Sequence, residues 1–308
     1  MLCQPTNCSL TMLAPAKLNL FLRVVRRRED GFHDLETVMT AINVFDTLHF
    51  EACDSAEISL RVVMASARSK FLPRAEAIPT DGNNLVVRAA NLLKEYAGDK
   101  RGARITLIKR IPSAAGMGGG SSDAAATLSG LNRVWDLGLS RQQLIELAAR
   151  LGSDIGFFLG GCSAAVCHGR GEIVDPLQLP TSLHFVVARP ATGLSTPQVF
   201  KHCRPDTQGR SLDEFVQALK QPDPNRMVRL LLNDLQLPAE GLNAEVRELR
   251  QRFASLPVLG HLMSGSGSSY FGICPSFRHA RSIAARLKAA GVPWVQVARS
   301  CPPLFCTT

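Results

Sequence analysis

Apolar and polar residues alternate at Ile58, Leu60 and Val62, and again at Ile105 and Leu107. A period of two marks half-buried strands. Longer β-prone stretches cover 13–25 and 36–50, and the polar run from Arg26 to Gly31 between them reads as a hairpin turn. The period then lengthens. Residues 84–97 (NLVVRAANLLKEYA) space their apolar positions as an amphipathic helix does. Ser140 is placed to cap another helix, with Leu144, Leu147, Ala148 and Leu151 as its apolar face. A further helix is expected to open at Ala124, just after a Gly/Ser stretch at 116–122.

In the second half, 183–188 reads as a strand, and Leu242, Val246, Leu249 and Phe253 fit one helix face. A strand, a glycine-rich turn and a strand follow over 260–273, then a helix over 276–289 and a last strand near 293–298. Strand and helix blocks without regular βαβ alternation predict an α+β fold in two lobes. The loosest joint is 175–182 (DPLQLPTS).

Composition narrows the function classes. The chain has 308 residues, 45% apolar and 20% charged, enough to bury a full core, which excludes bulk disorder. A formal charge of +9 favours anionic partners. A nucleic-acid-binding protein would show a basic stripe interleaved with exposed aromatics. Here Arg26, Arg27 and Arg28 are offset at once by Glu29 and Asp30, and the chain has only two Tyr and two Trp, so no nucleic-acid partner is expected. Nine cysteines, an odd number without a CxxC pair, indicate reduced thiols and neither a disulfide framework nor a zinc site. The start, MLCQPTNCSLTM, lacks the marks of a signal peptide, and no apolar run reaches the roughly 20 residues that span a bilayer. The expectation is a cytoplasmic protein with no membrane partner; no pattern assigns an oligomeric state.

The most informative stretch is Pro112, Ser113, Ala114, Ala115, Gly116, Met117, Gly118, Gly119, Gly120, Ser121 and Ser122, lying between a strand and a helix. Small residues let the backbone approach a ligand closely. The first amides of a helix lack internal partners, and the helix dipole adds to their pull on an anion. Phosphate is the natural guest. No Lys follows the glycines as a Walker A loop requires, and Ser121 breaks the third glycine of a dinucleotide fingerprint.

PSAAGMGGGSSDAA resembles the second motif of the GHMP small-molecule kinases. Two further segments agree in order: Ala14-Pro-Ala-Lys-Leu-Asn-Leu20 is similar to the family's N-terminal motif, and Met263-Ser-Gly-Ser-Gly-Ser-Ser269 to its C-terminal glycine motif. The resemblance implies a two-lobed fold. It has an N-terminal nucleotide-binding and catalytic lobe over 13–178, like ribosomal protein S5, and a C-terminal α/β sandwich lobe on the substrate side over 179–300. It also implies an ATP-dependent kinase with Mg²⁺ on the ATP phosphates, Asp154 as acceptor of the substrate's hydroxyl proton, and Lys17 beside it.

Asp30-Gly-Phe-His33, the LGSD segment ending at Asp154, Gly169-Arg-Gly-Glu172 and Leu194-Ser-Thr-Pro-Gln-Val-Phe200 are similar to the branch acting on a cytidine diphosphate derivative of methylerythritol. Phe32 stands where that branch commonly has Tyr. By the same resemblance His33 reads the cytosine edge, Phe32 and Phe200 meet the base or ribose faces, Asn19 binds the methylerythritol or its diphosphate, and Thr196 lies on the substrate side. Homoserine kinases share the ATP loop but need no cytidine site, and the segment around His33 separates the two.

Overall fold

A computed structural model describes residues 9–65, 78–98, 100–204 and 210–301. In chain order the elements are β1 (Ser9–Arg27), β2 (His33–Cys53), β3 (Ile58–Met64), α1 (Leu85–Ala97), β4 (Gly102–Lys109), α2 (Gly119–Val134), α3 (Arg141–Ala149), α4 (Ile155–Leu159), β5 (Ala164–Gly169) and β6 (Ile173–Leu177). There follow β7 (His184–Arg189), α5 (Thr196–His202), α6 (Leu212–Leu219), α7 (Pro224–Val228), β8 (Leu232–Asn233), α8 (Gln236–Leu242), α9 (Ala244–Ala254), β9 (Gly260–Met263), β10 (Tyr270–Cys274), α10 (Phe277–Ala289) and β11 (Trp294–Arg299).

Two sheets organise the molecule. The first has seven strands, with β3, β4, β2, β1 and β8 in order, β5 paired to β2 and β6 paired to β5. The length of β2 explains this: its 47–53 half pairs with β4, and its 35–40 half pairs with β5 along the same edge. The helices α1 to α4 cover one face of this sheet through a core that includes Phe50, Leu93, Leu128 and Trp135. Gly130 is what lets α2 lie this close, because a Cβ there would sit 2.6 Å from the ring of Phe50. The second sheet, β11-β7-β10-β9, is antiparallel throughout. It packs on α9 and α10 on one side, through Phe253 and Ile283, and toward the first sheet on the other.

Several expectations hold: Ser140 caps α3 with a full capping box, and the helices expected over 84–97 and 276–289 form as α1 and α10, which the structure shows capped by Asn84 and Ser276. Others need correcting. The helix α2 opens at Gly119, not Ala124, so the glycines and serines form its first turn. Leu242 belongs to α8 and is partly exposed; the buried face of α9 is Val246, Leu249 and Phe253. Leu151 lies beyond the end of α3.

The expected joint at 178 falls between the end of β6 in the first sheet and the start of β7 in the second. The chain then returns: β8 pairs parallel with β1 at Phe21 and Leu22, and one core cluster holds Leu18 and Phe21 together with Phe185, Phe215 and Phe271. Among the described residues no helix is long and apolar enough to cross a membrane, and the six described cysteines are free. Cys3, Cys8 and Cys306, with the first eight residues, lie outside the described residues.

Candidate active site

The glycine loop leaves β4, crosses the middle of β1 at Lys17 and enters α2. Gly116 and Gly118 have φ of +71° and +66°, which a side chain resists. Close approach forbids one as well. A Cβ on Gly116 would lie 2.0 Å from the carbonyl oxygen of Ser264, and one on Gly118 would lie 3.0 Å from both Lys17 and Phe158. The loop is therefore pressed between β1 and the glycine motif that follows β9. Backbone hydrogen bonds fix it there: Lys17 N–H donates to Met117 O at 3.0 Å, and Ser269 N–H to Ala115 O at 3.1 Å. The Ser264 hydroxyl donates to Gly116 O at 2.9 Å. The N-cap of α2 is Gly118, which has no side chain to satisfy the first amides of the helix. Those donors, backed by the helix dipole, are left for an anion.

Under this loop lies a buried ion cluster. Lys109, the last residue of β4, donates to Asp46 at 2.5 Å and to Asp123 at 2.6 Å, and all three side chains are at most 5% exposed. Burial alone would lower the Lys109 pKa; the two carboxylates outweigh it and hold the ammonium above its ordinary value. The Asp123 carboxyl is pushed up to about 7, first by burial and then by Asp46, against the pull of Lys109.

Lys17 and Asp154 come together although 137 positions separate them. Lys17 is on β1, Asp154 at the N-terminus of α4, and Nζ lies 3.6 Å from Oδ2. Asp154 occupies an N-cap position but its side chain makes no capping bond, so the carboxylate faces the lysine instead. A relay orients the amine: Lys17 Nζ donates to Asn19 Oδ1 at 2.5 Å, Asn19 Nδ2 to Thr37 Oγ1 at 2.8 Å, and Thr37 to Phe21 O at 2.6 Å. Both ends of the Asn19 amide are thus engaged, with one N–H to spare. The register of β1 and β2 shifts between Asn19 and Phe21, so strict alternation stops there. Lys17 and Asn19 line the cleft while Phe21 packs into the core against Phe215, not onto the face of Lys17 as simple alternation predicts.

The cleft has a volume of about 1080 Å³ and gathers nearly every residue expected from the sequence. Residues 112–121 line it, with Lys17, Asn19, Phe32, His33, Asp154, Thr196 and Phe200. Ser122 is the exception: it is fully buried on the inner side of α2, with its hydroxyl unpartnered among the described residues. At one end the imidazole of His33 stacks on Phe200, with centroids 5.1 Å apart. The expected partner Phe32 is instead 54% exposed, with the guanidinium of Arg170 5.0 Å over its ring. Thr196 exchanges a 2.7 Å hydrogen bond with Ser266 of the glycine motif. Burial, and then the charge of Arg27, lower the pKa of His33, which favours its neutral imidazole.

Thr37, Asp46, Lys109 and Asp123 are not identifiable as site residues from the sequence. Thr37, Asp46 and Lys109 are single polar residues within otherwise structural stretches, Asp123 follows the serines of the glycine motif, and only the tertiary contacts give each its partner.

Comparisons with known proteins identify the family. The GHMP kinases N terminal domain matches residues 84–169, and the GHMP kinases C terminal family matches 215–293. A 4-diphosphocytidyl-2-C-methyl-D-erythritol kinase from Pelotomaculum thermopropionicum is 39% identical over 281 residues, 91% of this chain and 94% of the relative. One from Nocardioides sp. is 40% identical over 292 residues, 93% and 96% of the two chains. A crystal structure of a 4-(cytidine 5'-diphospho)-2C-methyl-D-erythritol kinase superposes with TM-score 0.75 at 37% identity, covering 95% of this chain and 100% of that one. A homoserine kinase from Cytophaga hutchinsonii reaches TM-score 0.74 at 17% identity, which speaks for the fold alone. With these matches spanning both lobes, the chain belongs to the GHMP kinases and, within them, to the 4-diphosphocytidyl-2-C-methyl-D-erythritol kinase family.

Proposed function

We propose that the protein transfers the γ-phosphoryl group of ATP to the C2 hydroxyl of 4-diphosphocytidyl-2-C-methyl-D-erythritol, in the non-mevalonate route to isoprenoid precursors. The observation that carries the reading is the ion-paired Lys17 and Asp154 opening onto the same cleft as the first-turn amides of α2. Phosphoryl transfer asks a protein mostly for positioning and for stabilisation of charge. The amides of Gly119 to Ser121 receive the polyphosphate. Asp154 accepts the C2 hydroxyl proton as that oxygen bonds to the γ-phosphorus and the bond to the β-phosphate oxygen breaks, releasing ADP. Lys17, 3.6 Å from Asp154, neutralises charge on the transferring group. The stacked His33 and Phe200 accept the cytosine, with the neutral imidazole of His33 free to hydrogen-bond its edge.

Mg²⁺ bound to the ATP phosphates would neutralise their charge. Asp154 is the one carboxylate lining the cleft among the described residues, and no group of three or more His, Cys, Asp or Glu gathers to hold a metal. This donor set fits an ion carried chiefly by phosphate oxygens, with the hydroxyl of Ser121 on the cleft wall. The free thiols fit a reducing, cytoplasmic setting.

Purified protein with Mg-ATP and the cytidine substrate tests the proposal, with homoserine as the control acceptor. Release of ADP with a new phosphomonoester at C2 in the phosphorus NMR spectrum is expected. Turnover of homoserine alone would refute the substrate assignment.

A further inference from the structure

The cluster of Asp46, Lys109 and Asp123 has no direct part in the phosphoryl transfer just described, and stability is a poor explanation for it. Two carboxylates and one ammonium at most 5% exposed carry a large desolvation cost, and apolar packing of the same volume would serve a core as well. Its placement is informative. Asp46 turns one oxygen to Lys109 and the other to the backbone, where Oδ1 accepts from Arg110 N–H at 2.5 Å and from Ile111 N–H at 2.9 Å. Those two residues begin the glycine loop. Asp123 lies in the second turn of α2, at the loop's far end. Lys109 bridges the two and lies directly under the first helical residue, because a Cβ on Gly119 would meet its Nζ at 3.0 Å.

We propose that Lys109 and Asp46 are positioning residues for the nucleotide: they clamp both ends of the loop at 110–122 from below, and so hold its free amides at the spacing a polyphosphate requires. This rests on the reading of that loop as the ATP seat. The geometry ranks the three members. An amide at 46 has a single oxygen, so it either abandons the loop's two N–H groups or turns its own NH₂ toward the ammonium. An amide at 123 still offers Lys109 an acceptor. Asp46→Asn and Lys109→Met therefore lose most, and Asp123→Asn loses less.

The test compares the wild type with these variants by titration with Mg-ADP, followed by its thermal shift, and by steady-state kinetics. For Asp46→Asn and Lys109→Met the KM for ATP and the Kd for Mg-ADP are expected to rise about tenfold or more. The KM for the cytidine substrate at saturating ATP should change less than threefold, and the rise for Asp123→Asn should be several times smaller. A merely structural cluster would lower melting temperature while leaving the nucleotide Kd of the folded protein unchanged. The inference is overturned if Asp46→Asn binds Mg-ADP within twofold of wild type, or if both substrates lose affinity equally. Failure of the wild type itself to bind Mg-ADP would instead remove the assignment of the loop, and this inference with it.

Discussion

Gly116→Ala is the sharpest probe of the loop, because the structure gives both costs. At φ +71° an L-residue carries about 1–2 kcal/mol of backbone strain. The added methyl would sit 2.0 Å from the Ser264 carbonyl oxygen and 3.1 Å from Gly267 N, so the two glycine motifs must part. An ordinary van der Waals contact, about 3.4 Å or more, exceeds that 2.0 Å by at least about 1.4 Å. Parting loosens the Ser264 hydroxyl bond to Gly116 O and the Ser269 N–H bond to Ala115 O, worth roughly 0.5–1.5 kcal/mol each. The total is roughly 2–5 kcal/mol, or, over the unfolding entropy of a 308-residue chain, a fall in melting temperature of about 3–8 °C. Activity should suffer more than stability. Moving the amides of the loop by about 1 Å is expected to cost on the order of 100-fold in kcat/KM for ATP. Thermal melts followed by circular dichroism and a coupled assay for ADP read the two quantities separately. A variant that melts within 1–2 °C of wild type and keeps kcat and KM for ATP within twofold would refute the account of two loops in forced contact.

Three other outcomes are expected. Asp154→Asn and Lys17→Ala should each lower kcat by about 10²–10⁴-fold while the Kd for Mg-ADP moves only a few-fold; near-normal turnover in either would exclude the pair from the chemistry. His33→Ala should raise the KM of the cytidine substrate far more than that of ATP. Because burial and Arg27 depress the imidazole's pKa, that KM in the wild type should stay flat from about pH 7 to 8 and worsen only on acidification. The Asp123 carboxyl, held up to about 7 by burial, keeps its proton in the folded protein at pH values where the unfolded chain has lost it. Stability linked to this group must then fall as pH rises from the ordinary carboxylate range toward 7. Melts at intervals across that window should show the slope, and Asp123→Asn should flatten it.

Local chemistry was legible wherever neighbours in sequence decide the outcome. The cap at Ser140, the period-two strands and the glycine loop all depend on residues a few positions apart. The sequence alone also named most of the cleft, because its motifs carry the family's resemblance. Three kinds of fact waited for the tertiary structure. The first is register: a shift after Asn19 sends Phe21 into the core, and nothing in the alternation of β1 announces it. The second is the helix start, since Gly119 and Gly120 have poor intrinsic helix propensity and enter α2 only because the contacts beneath the loop hold them there. The third is pairing over distance. Lys17 finds Asp154, Asn19 finds Thr37, and Lys109 finds Asp46 and Asp123 because strands and helices far apart in the chain are packed against one another. A charged residue states what it can do by its chemistry; which partner lies within about 3 Å, and whether water is excluded there, is decided only when the core closes.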